Sequence, residues 1–178
     1  MAGIRALADA GSAMLEVNGK VVLRRARRFS DFANHPDPLM EVHKATVRLH
    51  SGAGSEVWEE VEGLSLNRDS IILVIPVEED DPGASSKLHV PGHEIRAKLV
   101  CGGAQVTGFV RVPLQATVAS FMRESRLRFL SVASARIAAL PGGGELQDVD
   151  RFLPFCLVNR MRVTACVEGR ATSSGGQA

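Results

Sequence analysis

Four arginines within five positions are the side chains of this sequence most able to do chemistry: Arg24, Arg25, Arg27 and Arg28. A guanidinium presents a planar fork of N–H donors that fits the oxygen atoms of a phosphate. The cluster therefore predicts a binding site for RNA or a cyclic nucleotide. The alternative is a solvated strand end, whose charge is balanced by the acidic residues at 59–60 and 78–81.

An asparagine followed by an arginine occurs twice, as Asn67-Arg68 and as Asn159-Arg160. Both pairs are candidates for contacts with a ligand or a nucleic acid. They also fit tight turns, because asparagine tolerates a left-handed backbone and the arginine can remain in solvent. We favour the turn.

Trp58 and Phe155 are candidate anchors of a protein interface, and the hydrophobic core is the alternative place for both.

Nothing in the residue spacing indicates catalysis or metal binding. The sequence has no Gly-x-Ser-x-Gly motif and no evident cysteine-histidine pair, so we predict no catalytic residue and no enzyme. His89 and His93 have the i, i+4 spacing of a helical pair, but Pro-Gly between them prevents the helix that would align them. His43 and His50 are an odd number of residues apart and should face opposite sides of a strand. We therefore predict no metal site and no cofactor.

The composition limits how the protein could act. The 178 residues carry a net charge of +1, so no overall field would attract nucleic acid or a membrane surface. Seven Phe, one Trp and no Tyr leave few rings for stacking on bases. The longest apolar run, 71–77, is too short to cross a bilayer, and three widely spaced cysteines fit buried thiols. We predict a cytoplasmic protein without membrane insertion, and the excess of Arg over Lys suggests a bacterial source.

The segments that carry these residues repeat along the chain. Six matches occur in the same order, among them Ile4-Arg5-Ala6 with Ile95-Arg96-Ala97, Val17 with Val106, Phe32 with Phe121, and Asn67-Arg68 with Asn159-Arg160. Such self-similarity predicts a tandem duplication. The first β-rich repeat covers 1–78, an acidic linker with Pro and Gly covers 79–93, the second repeat covers 94–169, and a disordered tail covers 170–178. The arginine cluster has no counterpart at 113–117, so it could form a site on one repeat only.

Each repeat has the apolar alternation of β-strands. Residues 17–23 and 106–112 alternate with period two, and a glycine at the equivalent place in each, Gly19 and Gly108, predicts a bulge or sharp bend. Ser30 or Asp31 could cap a single helical turn. Further strands are predicted at 39–49, 57–66 and 70–77, and at 128–140, 152–158 and 161–167. We therefore predict a mostly β protein: two small barrels or curved sheets related by a pseudo-twofold axis, with strand exchange as the alternative.

Three resemblances extend these predictions. Gly19, the segment 31–34, the following apolar strand and Arg68-Asp69 resemble Sm-like and SH3-type barrels, which implies that the Asn-Arg pairs line a nucleotide pocket. The motif Arg28-Phe-Ser-Asp-Phe32-Ala-Asn34 resembles a small bacterial β-rich domain family of unknown function. The Arg24 to Arg28 spacing is similar to the basic pair of PilZ-type cyclic dinucleotide receptors.

The function predicted from the sequence is a non-catalytic bacterial module for protein interaction or assembly. It follows from the duplication, from strand edges that could add another strand, and from the lack of a catalytic constellation. A protein partner or self-assembly is expected, in a complex that survives high salt. The alternative is RNA or cyclic-nucleotide binding through the arginine cluster, which should weaken steeply with salt.

Overall fold

Alternating apolar residues form ten β-strands in the computed structural model, which describes residues 1–11, 13–23, 28–51, 54–77, 92–140 and 152–169, with the backbone alone at 54–55 and 58–59. The first half, residues 1–77, contains β1 (Ala2–Asp9), β2 (Met14–Val21), α1 (Phe29–Ala33), β3 (Leu39–Ser51), β4 (Gly54–Asn67) and β5 (Ile71–Pro76). The second half, residues 92–169, contains β6 (Gly92–Cys101), β7 (Ala104–Pro113), α2 (Val118–Glu124), β8 (Phe129–Ala139), β9 (Phe152–Asn159), a 3-10 helix (Arg160–Arg162) and β10 (Val163–Glu168).

All ten strands belong to one antiparallel sheet, in the order β10-β6-β7-β8-β9-β5-β1-β2-β3-β4. The prediction of a mostly β protein with only short helices is confirmed. The prediction of two separate barrels is wrong, because β5 and β9 pair with each other, Leu73 opposite Val158 and Val74 opposite Leu157. This pairing makes the sheet continuous across the halves. The sheet does not close, and among the described strands β10 and β4 each have a neighbour on one side only.

The two halves follow each other across the sheet in the same sense. In each half the fifth strand is followed by the first, second, third and fourth. A twofold axis between the halves would place the same strand of each half at their boundary. Instead the fourth strand of the second half, β9, meets the fifth strand of the first half, β5. The predicted pseudo-twofold is therefore wrong, and the arrangement is head to tail.

Gly19 and Gly108 lie where their strands approach the next strand too closely for a side chain. A Cβ atom at Gly19 would lie 2.5 Å from Cγ1 of Val42, and one at Gly108 would lie 2.6 Å from Cγ1 of Val132. The strand register shifts beside both glycines. Across from them, Lys44 and Ser134 both have a φ of +48°. The bulge predicted from the two glycines is confirmed, and it lets the strands bend.

The same glycines correct the alignment of the first strands. Gly19 pairs with Ile4, and Gly108 pairs with Ala97. Ile4 therefore has Ala97 as its counterpart, two residues beyond the Ile95 that the sequence match selected. The residue types at 95–97 resemble those at 4–6, but the strand pairing shows that the two segments are offset by two residues along their strands.

Two hydrophobic cores lie against the sheet, and each takes residues from both halves. The first core is built mainly from β1 to β5 and α1 but includes Phe129 and Leu157 of the second half. The second core is built mainly from β6 to β9 but includes Leu7, Ile72 and Leu73 of the first half. Since neither core is complete without the other half, the halves form one packed unit.

The two helices begin differently. The predicted capping of α1 by Ser30 or Asp31 is wrong: Arg28 is the N-cap residue, and no side chain caps the helix. In α2 the Thr117 and Ser120 side chains cap each other's backbone N–H groups. Of the predicted linker, residues 92–93 begin β6; the rest of it and the predicted tail lie outside the described residues. Within the described ranges no helix is long and apolar enough to cross a membrane.

Candidate functional site

Arg68 and Arg160 hold the helix of their own half against the end of a strand. The Arg68 guanidinium donates to the carbonyls of Phe32, Ala33 and Asp37 at 3.1, 3.0 and 2.8 Å. Its Cζ lies 5.1 Å from the Phe32 ring centroid. Arg160 makes the equivalent bonds, to the carbonyls of Met122 and Leu127 at 2.9 and 2.7 Å.

These contacts revise the sequence interpretation of the Asn-Arg pairs. Residues 68–70 form a turn, as favoured, but the expectation that Arg68 remains in solvent is wrong, because the residue is buried. Burial lowers the pKa of Arg68, with the charge of Arg128 acting in the same direction and Asp37 opposing it. Two of its hydrogen bonds go to carbonyls at the end of α1, which need partners in the interior.

Asn159 joins the two halves, whereas Asn67 does not. The fully buried Asn159 amide donates across the halves to the carbonyls of Arg68 and Ile71, at 3.1 and 2.8 Å. Its oxygen accepts the backbone N–H of Met161. Asn67 accepts from the backbone N–H of Asp69 in the same way, but its side chain is exposed at the edge strand β4.

Further polar contacts surround the β5–β9 pair. We call the strand pair and the contacts around it the internal junction. The Asn34 side chain exchanges two hydrogen bonds with the backbone of Phe129, at 2.7 and 3.1 Å. Arg128 forms an ion pair with Asp69 at 3.1 Å. Arg162 donates to the Asp69 carbonyl and pairs with Asp9 at 3.0 Å. The internal junction therefore combines strand pairing, inserted apolar side chains and charge pairs.

The edge strands β4 and β10 expose apolar side chains. Leu39, whose backbone pairs with Asn67, is 47% exposed, whereas Phe129, whose backbone pairs with Asn159, is 1% exposed. Val57 on β4 and Val167 on β10 are 58% and 60% exposed. Exposed apolar residues along a free strand edge are typical of a surface that adds another strand.

The remaining predicted site residues are placed as follows. Arg24, Arg25 and Arg27 lie outside the described residues, and Arg28 directly precedes α1. The Trp58 backbone lies in the edge strand β4, opposite Val47. Phe155 lies in β9, partly buried against the first core, next to the internal junction. Arg68, Asn159 and Phe155 thus lie close to the boundary between the halves. Nothing in the sequence around these residues indicates that position.

A buried polar group on the first half was not singled out from the sequence. The Glu16 carboxylate accepts a hydrogen bond from Asn18 at 3.0 Å, lies 2.9 Å from His50 Nε2 and pairs with Arg5 at 2.9 Å. Burial opposes its ionisation, but the hydrogen bonds and the charges of Arg5 and Arg48 outweigh burial and lower the pKa of Glu16. Every oxygen of the carboxylate is used internally, so we assign the group to stability.

The prediction that His43 and His50 face opposite sides of a strand is wrong. Val42 and Ala45 both enter the first core, so the bulge at Lys44 adds one residue to the alternation. Both histidines therefore lie on the face of β3 that is opposite the first core. In the described part of the chain, no group of three His, Cys, Asp or Glu side chains could hold a metal ion.

The thiols of the cysteines have raised pKa values, and a groove lies beside β10. Cys101 and Cys156 are buried, and burial raises the pKa of both thiols to about 12. Cys166 on β10 is only partly buried, and burial also raises its pKa. A groove of about 220 Å³ beside β10 is lined by Arg96, Ala97, Lys98, Thr107, Val167 and Gly169.

Comparisons with known proteins give no relative for this chain. No protein-family model matches it, and neither a curated protein nor a solved structure does so.

Proposed function

We propose that this chain is a non-catalytic protein-interaction and assembly module that binds through the free edges of its sheet. One observation carries the proposal: β4 and β10 end the described sheet, and both expose apolar side chains. An unpaired strand presents backbone donors and acceptors that another strand can satisfy. Trp58, on β4, remains a candidate anchor.

We further propose that the halves are diverged copies of one ancestral unit. The repeated strand order, the glycine bulges and the matching arginine contacts to helix-end carbonyls support this. Such a duplication would leave a pairing edge at each end of the sheet, because each unit has one fourth and one fifth strand. A reducing cytoplasmic setting is consistent with the free thiols.

The test is to isolate the tagged chain from its host at low and at high salt and to identify its stoichiometric partners by mass spectrometry. We expect a defined complex, homomeric or with another protein, that persists at high salt because apolar contacts dominate. Val57→Lys and Val167→Lys should weaken it. Phe152→Lys, on the internal strand β9 and also exposed, is the matched control.

The proposal is overturned by a chain that stays monomeric without a stoichiometric partner at either salt. Binding of a short labelled RNA that weakens steeply with salt, and is lost on replacing the arginines at 24–28, would instead establish the alternative function.

A further inference from the structure

We infer that the partner at the free edges is a second copy of this chain, with β4 of one molecule paired to β10 of the next. This inference rests on the proposed function and names its partner. The internal junction supplies the template, since there a fourth strand already pairs with a fifth strand. A head-to-tail contact of this kind repeats until a ring closes or a filament forms.

The counterparts at the two free edges follow from strand pairing. Leu66 pairs with Met40 as Val158 pairs with Leu130. On the other edge, Ile71 and Val163 each precede a one-residue register shift, against β1 and β6 respectively. Val74 thus corresponds to Cys166, and Leu157 corresponds to Ser65. Since Val74 lies opposite Leu157 inside the chain, Cys166 should lie opposite Ser65 of the next molecule.

Burial shows that the second half lacks the cover that the first half has. Ile71 and Val74 are fully buried in the first core, where β9 and Phe129 cover them. Their counterparts Val163 and Cys166 are only partly buried against the second core. The second half therefore presents an uncovered position at the place where the first half receives a fourth strand.

Leu39 at the start of β3, and Asn67 at the end of the paired edge strand β4, have side chains suited to that position. Leu39 would enter the second core of the next molecule as Phe129 enters the first core, and Asn67 would reach across the strands as Asn159 does. If the same register continues along the strands, Glu62 of one molecule would lie opposite Gly169 of the next. The backbone N–H of Gly169 donates to the carbonyl of Arg96. Glu62 and Arg96 are both exposed, and the glycine between them has no side chain. The charges of the two edges are therefore complementary at this row.

The charge pairs of the internal junction have no equivalents at the free edges. Pro38 and Ser70 stand at the positions of Arg128 and Arg162, and Met161 stands at the position of Asp69. The contact between molecules would accordingly depend on apolar burial and strand pairing more than on ion pairs. Its strength should change little with salt.

A disulfide tests the register directly. Residues directly opposite in an antiparallel pair have Cβ atoms about 4.5–5.5 Å apart, close to the separation that a disulfide requires. Ser65→Cys should therefore cross-link to the native Cys166 of a neighbouring molecule under mild oxidation, giving dimers and higher multiples on a non-reducing gel. Ser65→Cys combined with Cys166→Ser should give no such ladder. Ser131→Cys, an exposed position on the internal strand β8, is the second control.

Sedimentation of the purified chain over a concentration series tests association without cross-linking. We expect a multiple of the monomer mass. Leu39→Lys should raise the dissociation constant about thirtyfold or more, the change expected for an interface hot spot. Phe152→Lys is the matched control, since Phe152 is 75% exposed and lies on the internal strand β9. Circular dichroism of each variant verifies that it is folded.

A monomer at every concentration, together with no Ser65→Cys ladder, overturns the inference. If a stoichiometric complex with a different protein is found at the same time, the proposed function stands and only the identity of the partner is wrong. If neither a self-complex nor another protein partner forms, both fail. Association without the Ser65–Cys166 cross-link overturns the proposed pairing of β4 with β10.

Discussion

At the scale of single residues, Glu16 is the clearest case of a side chain that stabilises the fold through its charge. Its carboxylate lies between Asn18, His50 and Arg5 on the first three strands. Because these partners favour the ionised form, the pKa of Glu16 in the folded chain lies below its usual 4.5. The stability it contributes is present above pH 4.5 and is lost as pH falls through the lowered folded pKa.

We therefore expect Glu16→Gln to reduce the free energy of unfolding by about 2 kcal/mol near neutral pH, since hydrogen bonds to a buried charge are lost. The difference from the unsubstituted chain should shrink in acid. Urea unfolding at a series of pH values measures both. Glu56→Gln, at an exposed position, should change stability by less than about 0.5 kcal/mol. A difference that is independent of pH would show that the charge is not the cause.

The contacts of Arg68 show where residue-level prediction stops. The sequence predicted the turn at 67–69 but placed this arginine in solvent. Its burial depends on the carbonyls at the end of α1, which come from more than thirty positions earlier in the chain. Nothing local to Asn67-Arg68 marks those partners. Arg160 makes the same kind of contacts in the second half. The repetition of the Asn-Arg pair therefore marked a shared structural feature, although the sequence did not indicate that these arginines bond to helix-end carbonyls.

At the scale of elements, the two glycine bulges decide how the second and third strands of each half fit together. Gly19→Ala and Gly108→Ala should each lower stability by about 1–3 kcal/mol, because the added Cβ would overlap a neighbouring valine and backbone. Gly63→Ala is the matched control, since its Cβ would meet nothing within 4 Å. Thermal unfolding compares the three variants. Equal changes at Gly19 and Gly63 would contradict the packing argument.

Strand positions were largely predictable because the alternation of apolar residues is a local property. The strands predicted at 39–49, 57–66 and 70–77 correspond to β3, β4 and β5. The uninterrupted apolar run in β5 carries a further signal. Five successive buried residues, 71–75, require cover on both faces, which a strand at the edge of a small barrel would not have. The run thus fits a strand in the interior of a large sheet.

At the scale of the whole molecule, the joining of the halves could not be predicted, because nothing in the sequence of β5 or β9 specifies which strand each of them pairs with. The junction pairs only two residues of β5 with two of β9. It depends equally on Phe129, which is distant in sequence from the first core that it fills. The prediction of a duplication concerned what each repeat contains, while the continuous sheet depends on which edges meet.

Because each core borrows residues from the other half, we expect the whole chain to unfold in a single transition. Trp58, the only tryptophan, reports on the first half, and far-ultraviolet circular dichroism reports on all strands. Their urea transitions should coincide. Phe129→Ala should shift both equally, by about 3–5 kcal/mol, although the substitution is in the second half. The exposed Phe152→Ala is the control, with a change below about 0.5 kcal/mol. Two separate transitions, with Phe129→Ala moving only one, would mean that the halves are stable independently and that the shared cores contribute little to their folding.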